Sequence, residues 1–169
     1  MSNEGVNLLT EEAQALIGSE TDEVNTLPVE ACDIRRYCEA TENMNPLYFD
    51  EDYARQMGYG GIIAPPAFYQ GPFRTLPGAF MAVPQGTDIG IVAKTMERLH
   101  LKRALDVGQK MELFAPVRPG DILTRKGKIV DIAQKQLKLG PALLCTIQNT
   151  ITNQKRELVC LETTQYFFY

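Results

Sequence analysis

At 169 residues, 44% hydrophobic and 22% charged, the chain has the make-up of one globular domain that buries its own core without disulfides or metals. A net charge of -4, with no run of Lys/Arg interleaved with aromatics, argues against a nucleic-acid partner. No stretch reaches the roughly 18–20 apolar residues that cross a bilayer, and the opening MSNEGVNLLTEEAQALIG lacks a basic, apolar leader pattern; a soluble, cytoplasmic protein with no membrane partner is expected.

Thr10, Glu11, Glu12, Ala13, Leu16 and Ile17 followed by Gly18 predict a short capped helix with an acidic first turn and a glycine stop. Polar residues 19–26 predict a loop, and a second helix is expected from about Glu30 to Thr41, with Ala31, Ile34, Tyr37 and Cys38 on one face. Asn43-Met44-Asn45-Pro46 is turn chemistry, because Pro46 pushes Asn45 out of the helical region. Asp50 then caps a third helix carrying Glu51 and Asp52 in its first turn and stopping at Gly58.

Ile62 to Pro66 open what should be the buried central helix, with Phe68, Tyr69, Phe73 and Leu76 as its apolar face and Pro72 making it kinked or short. Residues 77–106, broken by Gly78, Pro84, Gly86 and Gly90, read as mostly irregular. Alternation at Lys110, Met111, Glu112 and Leu113 marks a strand, ended by the turn from Pro116 to Asp121. Leu143, Cys145, Ile147 and Ile151 share one parity and Thr146, Gln148, Thr150 and Thr152 the other, as in a half-buried antiparallel strand. A turn over Thr152 to Lys155 leads into a strand from Leu158 to Phe168. Helices early and long strands late give an α+β chain.

Cys32, Cys38, Cys145 and Cys160 have no Cys-x-x-Cys spacing and one histidine for company, so no metal is expected and the thiols read as reduced. His100 lies among Arg98, Lys102 and Arg103, a short basic cluster that fits a solvated face better than a phosphate clamp.

Three segments carry a resemblance: VEACDIRRYCEATENMNPLYFDEDYA from Val29, YGGIIAPPAF from Tyr59 and FAPVRPGDIL from Phe114. In this order they resemble the MaoC-like family of hotdog-fold dehydratases and hydratases, especially the N-terminal-type branch related to the dehydratase domain of type I fatty acid synthases. The resemblance implies a single hotdog domain over residues 1–169, an antiparallel sheet wrapped around a central helix, with 1–28 as a leading helix and loop. It also implies dimerisation, no cofactor, an acyl-CoA or acyl-carrier thioester as ligand, and a role in fatty-acid or steroid side-chain metabolism.

Active members typically share a loop reading Gly-Asp-x-Asn-Pro-x-His. Adding water to a 2-enoyl thioester needs a base for the water proton and an acid for the alpha carbon, and that carboxylate–imidazole pair supplies both. The matching positions here are Asn43 and Tyr48. Asn does not titrate, and an unperturbed Tyr has a pKa of about 10. Where active members carry His-Gly, this chain has Pro65-Pro66, and Pro66 has no amide hydrogen to hold a thioester oxygen. No catalytic residue is therefore expected. For binding, Tyr48, Ile63, Ala64, Phe68 and Tyr69, with Ile62 and Phe73, are the positions the resemblance places near an acyl tunnel, although core packing explains the apolar ones equally.

The leading reading is a non-catalytic, pocket-forming subunit of a heteromeric enoyl-CoA hydratase or (3R)-hydroxyacyl thioester dehydratase, paired with a homologous subunit carrying the Asp/His loop. The alternatives are a stand-alone homodimeric hydratase or thioesterase using Asp50, Asp106, Tyr48 or His100 in other roles, and an acyl-thioester binding module without chemistry.

Overall fold

The computed structural model describes residues 6–74 and 88–169. The chain runs α1 (Glu11–Gln14), β1 (Val24–Asn25), α2 (Ala31–Ala40), a single 3₁₀ turn (Pro46–Tyr48), α3 (Glu51–Gln56), α4 (Gln70–Arg74), α5 (Asp88–Arg98), β2 (Ala104–Leu113), β3 (Thr124–Leu137), β4 (Gly140–Thr152) and β5 (Leu158–Phe168). The strands form one five-stranded sheet in the order β1-β3-β4-β5-β2, antiparallel at every pairing. It is the expected α+β hotdog arrangement.

Parity along β4 decides which face is inside. Leu143, Cys145, Ile147, Asn149 and Ile151 are all buried, while Thr146, Gln148 and Thr152 are half-buried and Thr150 is exposed. The inner face carries two apolar clusters. Ile151, Val159 and Cys160 pack with Ile34 and Cys38 of α2, Tyr48, Phe68, Tyr69 and Phe73. Leu143, Cys145, Ile147 and Phe168 pack instead with Val92 and Met96 of α5 and Ala13 of α1. Burying a side chain such as Ile34 contributes about 1.5–3 kcal/mol, and here it ties α2 to the first cluster.

Local chemistry sets the helix ends much as expected. The Thr10 hydroxyl accepts from the Ala13 amide at 3.2 Å, and Asp50 Oδ1 accepts from the amides of Asp52 and Tyr53, each at 2.9 Å. In the last hairpin Asn153 Oδ1 accepts from the amides of Lys155 and Glu157, each at 3.0 Å. Cys38, Cys145 and Cys160 are buried free thiols, whereas Cys32 is exposed.

Several expectations are corrected. Of the stretch 77–106, the described part is mostly regular and not irregular as expected: α5 occupies Asp88–Arg98 and β2 begins at Ala104, while residues 77–87, with Gly78, Pro84 and Gly86, lie outside the described residues. Gly90 masked the helix, yet it falls in the first turn, and Val92, Thr95 and Met96 recur at helical spacing as a buried face. The 19–26 loop contains β1 and an isolated bridge from Glu20 to Lys128. Helix does not start at the proline pair: residues 62–65 are irregular, 66–69 form a turn, and α4 begins at Gln70 and is described to Arg74. Leu76 lies outside the described residues.

Candidate functional site

The segment matching the hydration loop is built from backbone geometry. α2 ends where Glu42 takes φ 53, and the Asn43 amide turns back to the Cys38 carbonyl at 2.9 Å. Asn45 Oδ1 accepts from the Leu47 amide at 3.0 Å, and Pro46 at the first position of the 3₁₀ turn has the φ that such a start requires. The turn delivers Tyr48 into the first cluster, only 8% exposed.

There the Asn43 side chain lies beside the Tyr48 phenol, so the structure brings the two dyad positions together. The pair is neutral. Burial pushes the Tyr48 phenol up, the nearby Cys38 and Tyr59 push it the same way, and the Asn43 amide opposes them without reversing the shift. An upward shift takes the phenol further from the range of a base at neutral pH.

Around the pair, the Ile63 amide donates to the Leu47 carbonyl at 3.2 Å and the Ala64 amide to the Val117 carbonyl at 2.8 Å. Both amides are thus committed. Pro65 and Pro66 follow, and Ala67 takes φ 67, which L side chains rarely adopt. Phe68 meets Tyr37 edge-on, with ring centroids 5.6 Å apart and planes at 82°. Tyr48, Ile63, Ala64, Phe68 and Tyr69 all belong to the first cluster and are buried.

The residues considered for a stand-alone enzyme have other roles. Asp50 Oδ1 caps α3. Asp106 Oδ1 accepts from the Gly108 amide at 3.2 Å, beside the bulge in β2. His100 is exposed in the turn after α5 with φ 62. Among the described residues, one grouping has metal-ligand spacing: Glu30, Cys32 and Asp33, all exposed. The hydrogen bond to Glu30, followed by desolvation and the Asp33 charge, pushes the Cys32 thiol up, away from the thiolate that a metal takes.

Sequence reasoning missed a buried carboxylate. Glu162, 5% exposed on β5, accepts through Oε1 from Tyr69 Oη at 3.0 Å, from Gln70 Nε2 at 2.8 Å and from Gln109 Nε2. Its Oε2 accepts from Asn149 Nδ2 at 3.0 Å. Burial pushes the Tyr69 phenol strongly up, helped by its bond to Cys160 and by the Glu162 charge. Asn149 and Glu162 are cross-strand partners, each interrupting an apolar parity. Those two interruptions, on one rung of the last hairpin, were the available signal.

Comparison with known proteins follows the same lines. The sequence model of the FAS1-like dehydratase domain region matches residues 15–162. A UPF0336 protein of Streptomyces avermitilis is 34% identical over 99 residues, 59% of this chain and 59% of that protein. One of Streptomyces coelicolor is 31% identical over 111 residues, 66% of this chain and 67% of that protein. The chain thus matches little more than half the length of the first of these relatives. Among solved structures, the ChsH1-ChsH2 complex from Mycobacterium tuberculosis contains a chain that superposes with TM-score 0.83 at 21% identity, covering 94% of each chain. The HadBC (3R-hydroxyacyl-ACP dehydratase) complex of the same organism gives 0.61 at 20%, covering 90% of this chain and 96% of that one. The R-hydratase PhaJ1 from Pseudomonas aeruginosa gives 0.61 at 15%, covering 93% and 84%. At these identities the likenesses establish the fold.

Proposed function

Because the chain belongs to the family of FAS1-like dehydratase domain regions, we propose that it is the non-catalytic, pocket-forming subunit of a heteromeric hydratase or dehydratase acting on acyl thioesters. The observation that carries this reading is the neutral Asn43–Tyr48 pair beside a proline at the carbonyl-donor position. A retained loop with no titratable group near neutrality orients a wall; it does not transfer protons.

A partner is supported by the sheet edge. β2 is terminal in the sheet, and Met111 and Leu113 are cross-strand partners of Glu162 and Cys160, so they face inward. Yet they are 39% and 50% exposed. A second hotdog chain that added its own edge strand would cover them. The ChsH1-ChsH2 and HadBC neighbours are themselves complexes. In this reading the partner supplies the carboxylate and imidazole, and Tyr48, Ile63, Ala64, Phe68 and Tyr69 form the adjacent wall. Acyl-CoA or acyl-carrier thioester is the substrate class.

The test is co-purification with a hotdog subunit carrying the Asp/His loop, followed by hydration of crotonyl-CoA and longer enoyl-CoA substrates. The pair is expected to turn over and this chain alone is not. Tyr48→Phe in this chain should leave the rate of the pair within about threefold, whereas loss of a true general acid or base costs about 10²–10⁴-fold. Full activity of the partner without this chain, or turnover by this chain alone, would refute the proposal.

A further inference from the structure

Two elements beside the proposed wall and edge, α4 and β2, each reach the body of the fold from one side only. The described part of α4, Gln70–Arg74, contains Pro72, which has no amide hydrogen to give the helix, and the turn leading into it holds Ala67 at φ 67. Among the described residues β2 pairs with β5 alone, shifts register between Asp106 and Gly108, and is exposed at every residue but Gly108. Side-chain anchors into the body of the fold add to what the pairing of β2 with β5 and the packing of Phe73 supply.

Those anchors meet on one oxygen. Glu162 Oε1 accepts from Tyr69 and Gln70 at the start of α4 and from Gln109 in the middle of β2. Asn149 holds Oε2 against β4 at 3.0 Å, so the acceptor is fixed to the centre of the sheet. Cys160 and Ile151 lie on one side of this rung and Ile147 on the other, in the two apolar clusters. Bonds to a carboxylate acceptor in such surroundings are stronger than those between neutral groups and act cooperatively.

We propose that Glu162 is a positioning residue that couples α4 to the edge strand β2, so that the pocket wall and the edge facing a partner shift as one body. The use made of this coupling by a partner subunit rests on the function proposed above. The coupling itself belongs to the isolated chain.

Hydrogen–deuterium exchange of the full chain, without partner or ligand, tests it. Gln109→Leu and Tyr69→Phe each remove one donor and leave Glu162 the other three. Gln109→Leu is expected to speed exchange in residues 66–74 as well as in 104–113, and Tyr69→Phe to speed it in 104–113 as well as in 66–74. The expected size is about tenfold, that of one lost charge-assisted bond, with β3 unchanged. Exchange that rises only in the substituted segment, does not change, or rises uniformly through β3 overturns the coupling. A hydration assay that fails with every partner would overturn the proposed function and leave this result standing.

Discussion

Asn43 with Tyr48 and Glu162 with its donors are polar groupings set against the same apolar cluster, and they differ in charge and in origin. The first occupies the position where a sequence motif predicts proton transfer, and it is neutral, locally braced and free of any group shifted toward neutrality. The second lies in no motif, carries a buried carboxylate and gathers side chains from α4, β2 and β4. The loop kept its shape because Asn45, Pro46 and backbone bonds define it independently of the dyad. The charge sits instead where elements distant in sequence must be joined.

The contrast can be broken at several points. Glu162→Leu should have the largest effect, a loss of about 3–5 kcal/mol, because it strands the buried or half-buried donors of Tyr69, Gln70 and Asn149 and frees Gln109; urea unfolding checks this, and a loss below about 1 kcal/mol would show the carboxylate to be dispensable. Next, Asn43→Asp with Tyr48→His should still leave the chain short of a carbonyl donor at Pro66. Adding Pro66→Gly to that pair should raise kcat by about 100-fold in an enoyl-CoA hydration assay; equal rates would remove Pro66 from the account.

Smaller effects sharpen it. Asp50→Ala should cost about 1 kcal/mol through loss of the α3 cap, without changing the activity of a heteromeric pair beyond the change in folded fraction. The pH dependence of stability follows from the upward shifts of Cys38, Cys160, Tyr48 and Tyr69, each led by burial. A folded-state pKa above the unfolded value favours folding while the group is protonated. This contribution is therefore complete below the unfolded thiol value of about 8.5 and is lost as pH rises through the folded values. Thermal melts from pH 7 upward should show the decline, and Tyr48→Phe should flatten only the part above about pH 10.

The legible parts of the fold were those written in local chemistry. Thr10, Asp50 and Asn45 cap helices through their own backbone neighbours, and the period-two pattern from Leu143 to Ile151 gives the β4 faces directly. α5 escaped because Gly90 was weighed as a breaker, although Val92, Thr95 and Met96 hold the periodicity. β2 escaped in part because its bulge between Asp106 and Gly108 resets the alternation. At the site, the motif gave Asn43 and Tyr48, and the structure joined them. Glu162 stayed hidden because no single stretch reports which residues share a rung: Asn149 and Glu162 become neighbours only when the hairpin register is laid out.

Among the described residues nothing pairs with the outer edge of β2, and this has a consequence for how such a chain is made. Its backbone is a template for any extended segment, and inward-facing Met111 and Leu113 with the adjacent Phe114 make that template sticky. Lys110 and Glu112, paired with each other at 2.9 Å on the opposite face, are the charges placed to discourage promiscuous addition. Where a partner subunit covers this edge, as proposed above, the chain produced in excess over it should be prone to self-association, and balanced synthesis of the two would serve solubility as much as activity.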